Sequence, residues 1–183
     1  MQWTIPGTTL TGHREQADEI GRQFEGLYLA GDLALGQVAS LAGLENHIIQ
    51  NWVKRGFLAG PKNKRYTMEQ LCRILNINVL RGTLPLEQVQ VLMSYLNGSL
   101  TDESDDLVDD TVLYFYFVRL AARCPELADE ETWQDALKEV TADYAEPVPG
   151  ARKKLENVLR IMMTAWMAGC LKARAEEMLG QIQ

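Results

Sequence analysis

Between Leu35 and Tyr66 the chain reads LGQVASLAGLENHIIQNWVKRGFLAGPKNKRY, and the reading of this stretch decides the fold. Two short apolar segments, Leu35–Leu41 and Ile48–Val53, flank Gly43, so the pattern is helix, tight turn, helix. Val38, Ala39 and Leu41 on the first helix are expected to face Ile49, Trp52 and Val53 on the second, the packing that a short glycine-containing turn permits. Gly56 then stops the second helix. The segment from Pro61 to Tyr66 predicts a compact basic hairpin that carries Lys62, Lys64 and Arg65 and is anchored by Tyr66.

Working outward, Leu71–Leu80 and Leu86–Leu96 read as two further helices parted by Gly82, with Asn97-Gly98 as the last cap. Upstream, Ile20, Phe24, Leu27 and Tyr28 recur at helical spacing, which predicts one helix within residues 1–31 that packs onto the downstream part of the chain. Downstream, the acidic run TDESDDLVDD (Thr101–Asp110) is expected to be a solvated linker and helix start, and to mark a domain boundary over residues 99–110. Three helices are predicted after it, Asp110–Cys124, Glu130–Ala145 and Ala151–Leu179. Leu113–Ala122 has the composition of a strand, but its acidic start and alanine-rich end favour a helix buried nearly all round. The expected class is all-α, in four parts: a helical extension (1–31), a helix-turn-helix domain with a basic hairpin (32–98), the acidic linker (99–110) and a C-terminal helical domain (111–183).

Charge narrows the function. The 183 residues carry a net charge of −7, yet the segment from Asp32 to Gly98 is the only one with an excess of Lys and Arg. If the second helix is presented outward, Asn46, His47, Gln50 and Asn51 are placed to read base edges, because Asn and Gln side chains can pair with adenine in a major groove. Lys54, Arg55, Lys62, Lys64 and Arg65, with Tyr66 beside them, would supply the phosphate contacts that fix register. The apolar stretch Ile161–Leu171 is too short for a membrane span, which needs about 20 residues. Cys72, Cys124 and Cys170 form no C-x-x-C pair, and with only His13 and His47 to assist they read as reduced thiols of a cytoplasmic protein with no bound metal or cofactor. There is no nucleophile elbow, phosphate loop or zinc-protease motif, so an enzyme is not expected. The aromatic run Tyr114–Phe117, with Trp133, Trp166 and the methionines, is read as core.

The ordered series Val38-Ala39, Gly43, Ile49, Trp52, Gly56-Phe57-Leu58, Arg65-Tyr66, Leu71, Ile74, Ile77, Leu80-Arg81, Leu84-Pro85-Leu86 and Val89 resembles the MerR-type winged helix-turn-helix of bacterial regulators. With Leu27-Tyr28 ahead of it, the chain is also similar to a MerR-like bacterial family labelled as a domain of unknown function. The resemblance implies a transcriptional regulator that binds double-stranded DNA as a homodimer, with a recognition helix over Asn46–Arg55 and a wing over Lys62–Tyr66. The C-terminal helices are then expected to dimerise or to bind a small-molecule or protein effector. The chain departs from the family pattern at the start of the recognition helix. Glu45, Ile48 and Gln50 stand where the family has a serine cap followed by a threonine and an arginine, and the long dimerisation helix that normally comes after the module is missing there. These departures favour the alternative, a protein-interaction module that keeps the scaffold without DNA binding.

Overall fold

The computed structural model describes residues 2–98, 106–124 and 130–182, and it is built mostly of helices. Part of the expected linker, residues 99–105, lies outside the described residues.

The chain opens with a hairpin that the helical reading of residues 1–31 does not anticipate. Strands β1 (Gln2–Thr4) and β2 (Thr11–His13) pair antiparallel, with Trp3 opposite Gly12. The turn between them approaches the rest of the molecule closely. Gly7 has φ +76°, and a Cβ built there would lie 2.9 Å from the Leu75 carbonyl oxygen, so both backbone angle and space require glycine. The Asn78 amide donates to the carbonyls of Gly7 and Ala42, and the Tyr114 hydroxyl donates to that of Pro6 at 2.9 Å. His13 ends β2 with extended backbone, so the chain first winds as a 3-10 segment over Arg14–Glu19, interrupted at Gln16. Only then does α1 (Ile20–Leu27) begin. The one helix expected within residues 1–31 is therefore α1 alone, eight residues long. It buries Ile20 and Phe24 and leaves Leu27 exposed.

A two-residue strand β3 (Leu33–Ala34) leads into α2 (Leu35–Ala42), and α3 (Asn46–Lys54) comes next. Gly43 closes α2 in the left-handed conformation (φ 63°, ψ 36°), its N–H bonding back to Ala39 and Ser40. The buried stripe of α2 is Val38, Ala39 and Ala42, with Leu41 only half-buried, and it meets Ile49 and Trp52 of α3. Strand β4 (Arg65–Tyr66) returns to pair with β3, Leu33 opposite Tyr66. The strand before α2 thus anchors the hairpin after α3.

Helices α4 (Met68–Leu80) and α5 (Leu86–Asn97) come after the hairpin, then α6 (Asp110–Arg123), α7 (Glu130–Val140) and α8 (Ala151–Gly180). Asp109 caps α6 by accepting from the N–H groups of Thr111 and Val112, in keeping with the acidic start of this helix. Helix α7 ends at Val140, five residues short of the expected end. There Arg152 donates to the carbonyls of Thr141 and Tyr144, both at 2.6 Å, taking up backbone acceptors that a continued helix would have used itself.

Helix α6 is the hub, packed against α4, α7, α8 and the 3-10 segment. Leu113, Tyr114, Tyr116, Phe117 and Leu120 are all buried along it, and Phe117 meets Trp166 of α8 edge-on. Buried side chains from Trp3 to Ala165 form one continuous apolar cluster. Residues 99–110 separate two stretches of different charge whose helices, α4 and α6, share that cluster. Among the described residues no helix is long and apolar enough to cross a membrane.

Candidate functional site

Helix α3 shows its two faces clearly. Ile49 and Trp52 are buried, while Asn46, His47, Gln50, Asn51 and Lys54 are all exposed. The chain leaves α3 through Gly56 (φ 76°) and buries Phe57 and Leu58, so the hairpin starts from a fixed base. That base is held by Gln70, whose amide donates to the carbonyls of Ala59 and Gly60 while its oxygen accepts from the Thr67 N–H. Thr67 in turn caps α4 by accepting from the Gln70 N–H.

At the hairpin tip, Lys62 and Arg65 face each other across the turn Asn63-Lys64. Both turn residues have positive φ, 51° and 61°. A two-residue turn of this hand suits the twist of the flanking strands and normally takes glycine at its second position. A lysine there is held in a left-handed conformation that costs about 1 kcal/mol. Lys62, Lys64 and Arg65 are exposed, and the Arg65 guanidinium also donates to the Asp32 carbonyl at 3.1 Å.

Two of the expected contact residues take other roles. Tyr66 is 2% exposed, so its ring anchors the hairpin and cannot reach a duplex. Arg55 is already engaged, 2.6 Å from Glu87 of α5 and stacked over Phe57 at 4.7 Å. Glu45, the residue before α3, makes no capping hydrogen bond, and its carboxylate lies 3.2 Å from His47 Nδ1.

Sequence reasoning misses a second polar group. Arg73 and Asn76 sit in the buried run Leu71–Ile77 of α4, and Arg73 Nη1 lies 3.4 Å from Asp110 Oδ1 on α6. Burial pushes the Asp110 carboxyl above the usual carboxylate range, with Arg73 opposing the shift. The acidic run is thus exposed at Asp109 and half-buried at Asp110. Asn97 clips the approach to α6, donating to the Val108 carbonyl at 2.6 Å and accepting from the Val108 N–H. An arginine and an asparagine inside an apolar helical run are the signal that the sequence offers for this group. Cys72 and Cys124 are buried, and burial raises both thiols, so they are poor nucleophiles.

Residues 31–117, from Gly31 to midway along α6, match a family described as "Domain of unknown function (DUF1836)". The match takes in the α2–α3 pair, the hairpin and the Arg73–Asp110 contact. The chain is also 29% identical over 84 residues to the uncharacterized protein YkrK of Bacillus subtilis (strain 168), an overlap that covers 44% of this chain and 36% of that protein. No solved structure matches the chain.

Proposed function

We propose that this protein is a DNA-binding transcriptional regulator built on a MerR-like winged helix-turn-helix. Helix α3 lies in the major groove and the Lys62–Arg65 wing lies on the phosphate backbone. One observation carries the reading. The outward residues of α3 are polar or basic and exposed, and beside them a lysine occupies a turn position that favours glycine. A strained position kept for a charged side chain fits a role in contact rather than in folding. Asn46, His47, Gln50 and Asn51 would read base edges, and Lys54, Lys62, Lys64 and Arg65 would hold phosphates.

A module with so few cations binds a duplex weakly alone, and we assign the pairing of two copies to the end of α8. From Leu171 to its end at Gly180 every residue of this helix is exposed, and Leu171, Ala175 and Met178 recur along one stripe. Lys172 and Arg174 flank this stripe, which an antiparallel second copy would cover. Within one chain Lys172 Nζ lies 3.9 Å from Glu176 Oε1. Leu171→Asp with Met178→Asp should convert a dimer in sedimentation velocity to a monomer with unchanged helix content.

The test of DNA binding is fluorescence anisotropy with random duplex DNA, titrated with salt. A log–log slope of about −3 to −6 supports the reading. No binding at low salt sinks it and favours a scaffold that binds protein, the reading to which the Glu45 carboxylate at the head of α3 already points. A phosphate placed at that helix start would meet a negative charge.

A further inference from the structure

Helix α8 has two opposed faces over its first half. Leu155, Val158, Leu159, Met162 and Met163 are buried in the core, whereas Ile161, Thr164 and Ala168 on the far side are exposed, Ile161 to 45%. The Thr164 hydroxyl donates to the Arg160 carbonyl at 2.8 Å, so this residue can be covered without leaving a polar atom unmet. These three residues continue the stripe of the free arm. Ile161, Thr164, Ala168, Leu171, Ala175 and Met178 follow one another by steps of 3, 4, 3, 4 and 3, the heptad spacing of a helix–helix seam, and the steps are the same read from either end. An antiparallel copy of the same helix therefore sets Ile161 opposite Met178, Thr164 opposite Ala175 and Ala168 opposite Leu171, about a two-fold axis midway between Ala168 and Leu171. The small side chains of Thr164, Ala168 and Ala175 let two such helices approach closely.

Helix α5 flanks this seam. It runs antiparallel to α8, because the Lys154 ammonium lies 5.3 Å from the centre of the Tyr95 ring and a Cβ built at Gly169 would lie 3.6 Å from Thr83 Cγ2. Val91, one turn before Tyr95, is 71% exposed. If two free arms met only each other, their overlap would be roughly 15 Å long, short of the area of about 1,200 Å² that a stable dimer buries. Seating each arm on the other copy's body extends the seam to roughly 27 Å and brings Val91 beside it. We propose that the free arm of α8, Leu171–Gly180, docks on the body of a second copy, along Ile161, Thr164 and Ala168 of α8 and against Val91 of α5. This docking rests on the pairing assigned above to the end of α8, and it names the surface that receives each arm.

The test contains no DNA and joins sedimentation velocity of the full chain to a cross-link that reads register. Ile161→Asp, at an exposed position, should raise the dimer dissociation constant about tenfold or more with helix content unchanged, and Val91→Asp should raise it about threefold. Ile161→Cys and Met178→Cys, each made with Cys170→Ser, should cross-link with a short bismaleimide when the two variants are co-expressed and not when either is alone. A wild-type dimer that Leu171→Asp with Met178→Asp breaks and Ile161→Asp leaves intact overturns the docking, while the pairing of arms stands. A co-expressed pair that fails to cross-link, or either variant cross-linking alone, overturns the antiparallel register and the docking with it. A wild-type monomer overturns both the docking and the pairing.

Discussion

Helices α3 and α4 are neighbours in the chain, with only the hairpin between them, yet they are used in opposite ways. Helix α3 buries two of its nine residues. Helix α4 buries the whole run Leu71–Ile77, polar residues included, and then Leu80. A helix exposed on most of its surface contributes little to the core and is free to vary in what it presents. A helix covered on all sides is committed to packing, and any polar group on it must find a partner inside. The contrast teaches where to look for each kind of effect: recognition on α3 and stability on α4.

The strongest attempt to break this contrast is Ile74→Ala. Truncating a fully buried isoleucine should cost about 2–5 kcal/mol in a denaturant titration. Gln50→Ala and Asn51→Ala on α3 should stay within about 0.5 kcal/mol. Equal losses from the two helices would show that the contrast is not energetic. Asp110→Ala comes next, with an expected loss of about 3 kcal/mol because Arg73 is left buried and unpaired.

The pH dependence of Asp110 sharpens the same point. Burial raises its folded pKa, so between its ordinary value and the raised one the folded chain keeps a proton that the unfolded chain has lost. Stability from this group therefore falls as pH rises through that window. Asp110→Asn cannot titrate, and the lead of the wild type over this variant should shrink from acidic to neutral pH. A lead that grows with pH would place the carboxylate in a well-paired site.

The effect expected on the hairpin is smaller than those on α4 and has the opposite sign. Lys64→Gly should stabilise the fold by about 0.5–1 kcal/mol by relieving a left-handed lysine, while it weakens duplex binding and lowers the salt slope by about one unit. A variant that gains stability and keeps full affinity would remove the functional reason for the strain.

How much is legible in the sequence differs between the two helices. The α2–turn–α3 unit can be read closely, because Gly43, Ile49 and Trp52 specify turn and register locally. The basic hairpin is equally plain from Pro61 to Tyr66. The features that escape the sequence depend on contacts distant along the chain. The β1–β2 hairpin is held by Asn78 and Tyr114, far downstream, and its own residues carry only a weak strand pattern. Residue type alone credits Tyr66 with a duplex contact, whereas its burial makes it an anchor, and the Glu87 partner of Arg55 is not visible in the sequence. The acidic run looks uniform in sequence, and only the fold distinguishes the capping Asp109 from Asp110, half-buried beside Arg73.

The exposed end of α8 also acts as a ruler. At about 1.5 Å per residue, the stretch from Leu171 to Gly180 extends roughly 15 Å. If two copies overlap along it in antiparallel fashion, its length sets how far apart their two α3 helices stand, and so the number of base pairs between half-sites. Two heptads inserted before Leu171 would keep the apolar stripe in phase while lengthening each arm by about 21 Å. The preferred spacing of half-sites should then shift to a longer value, with the sequence read at each half-site unchanged.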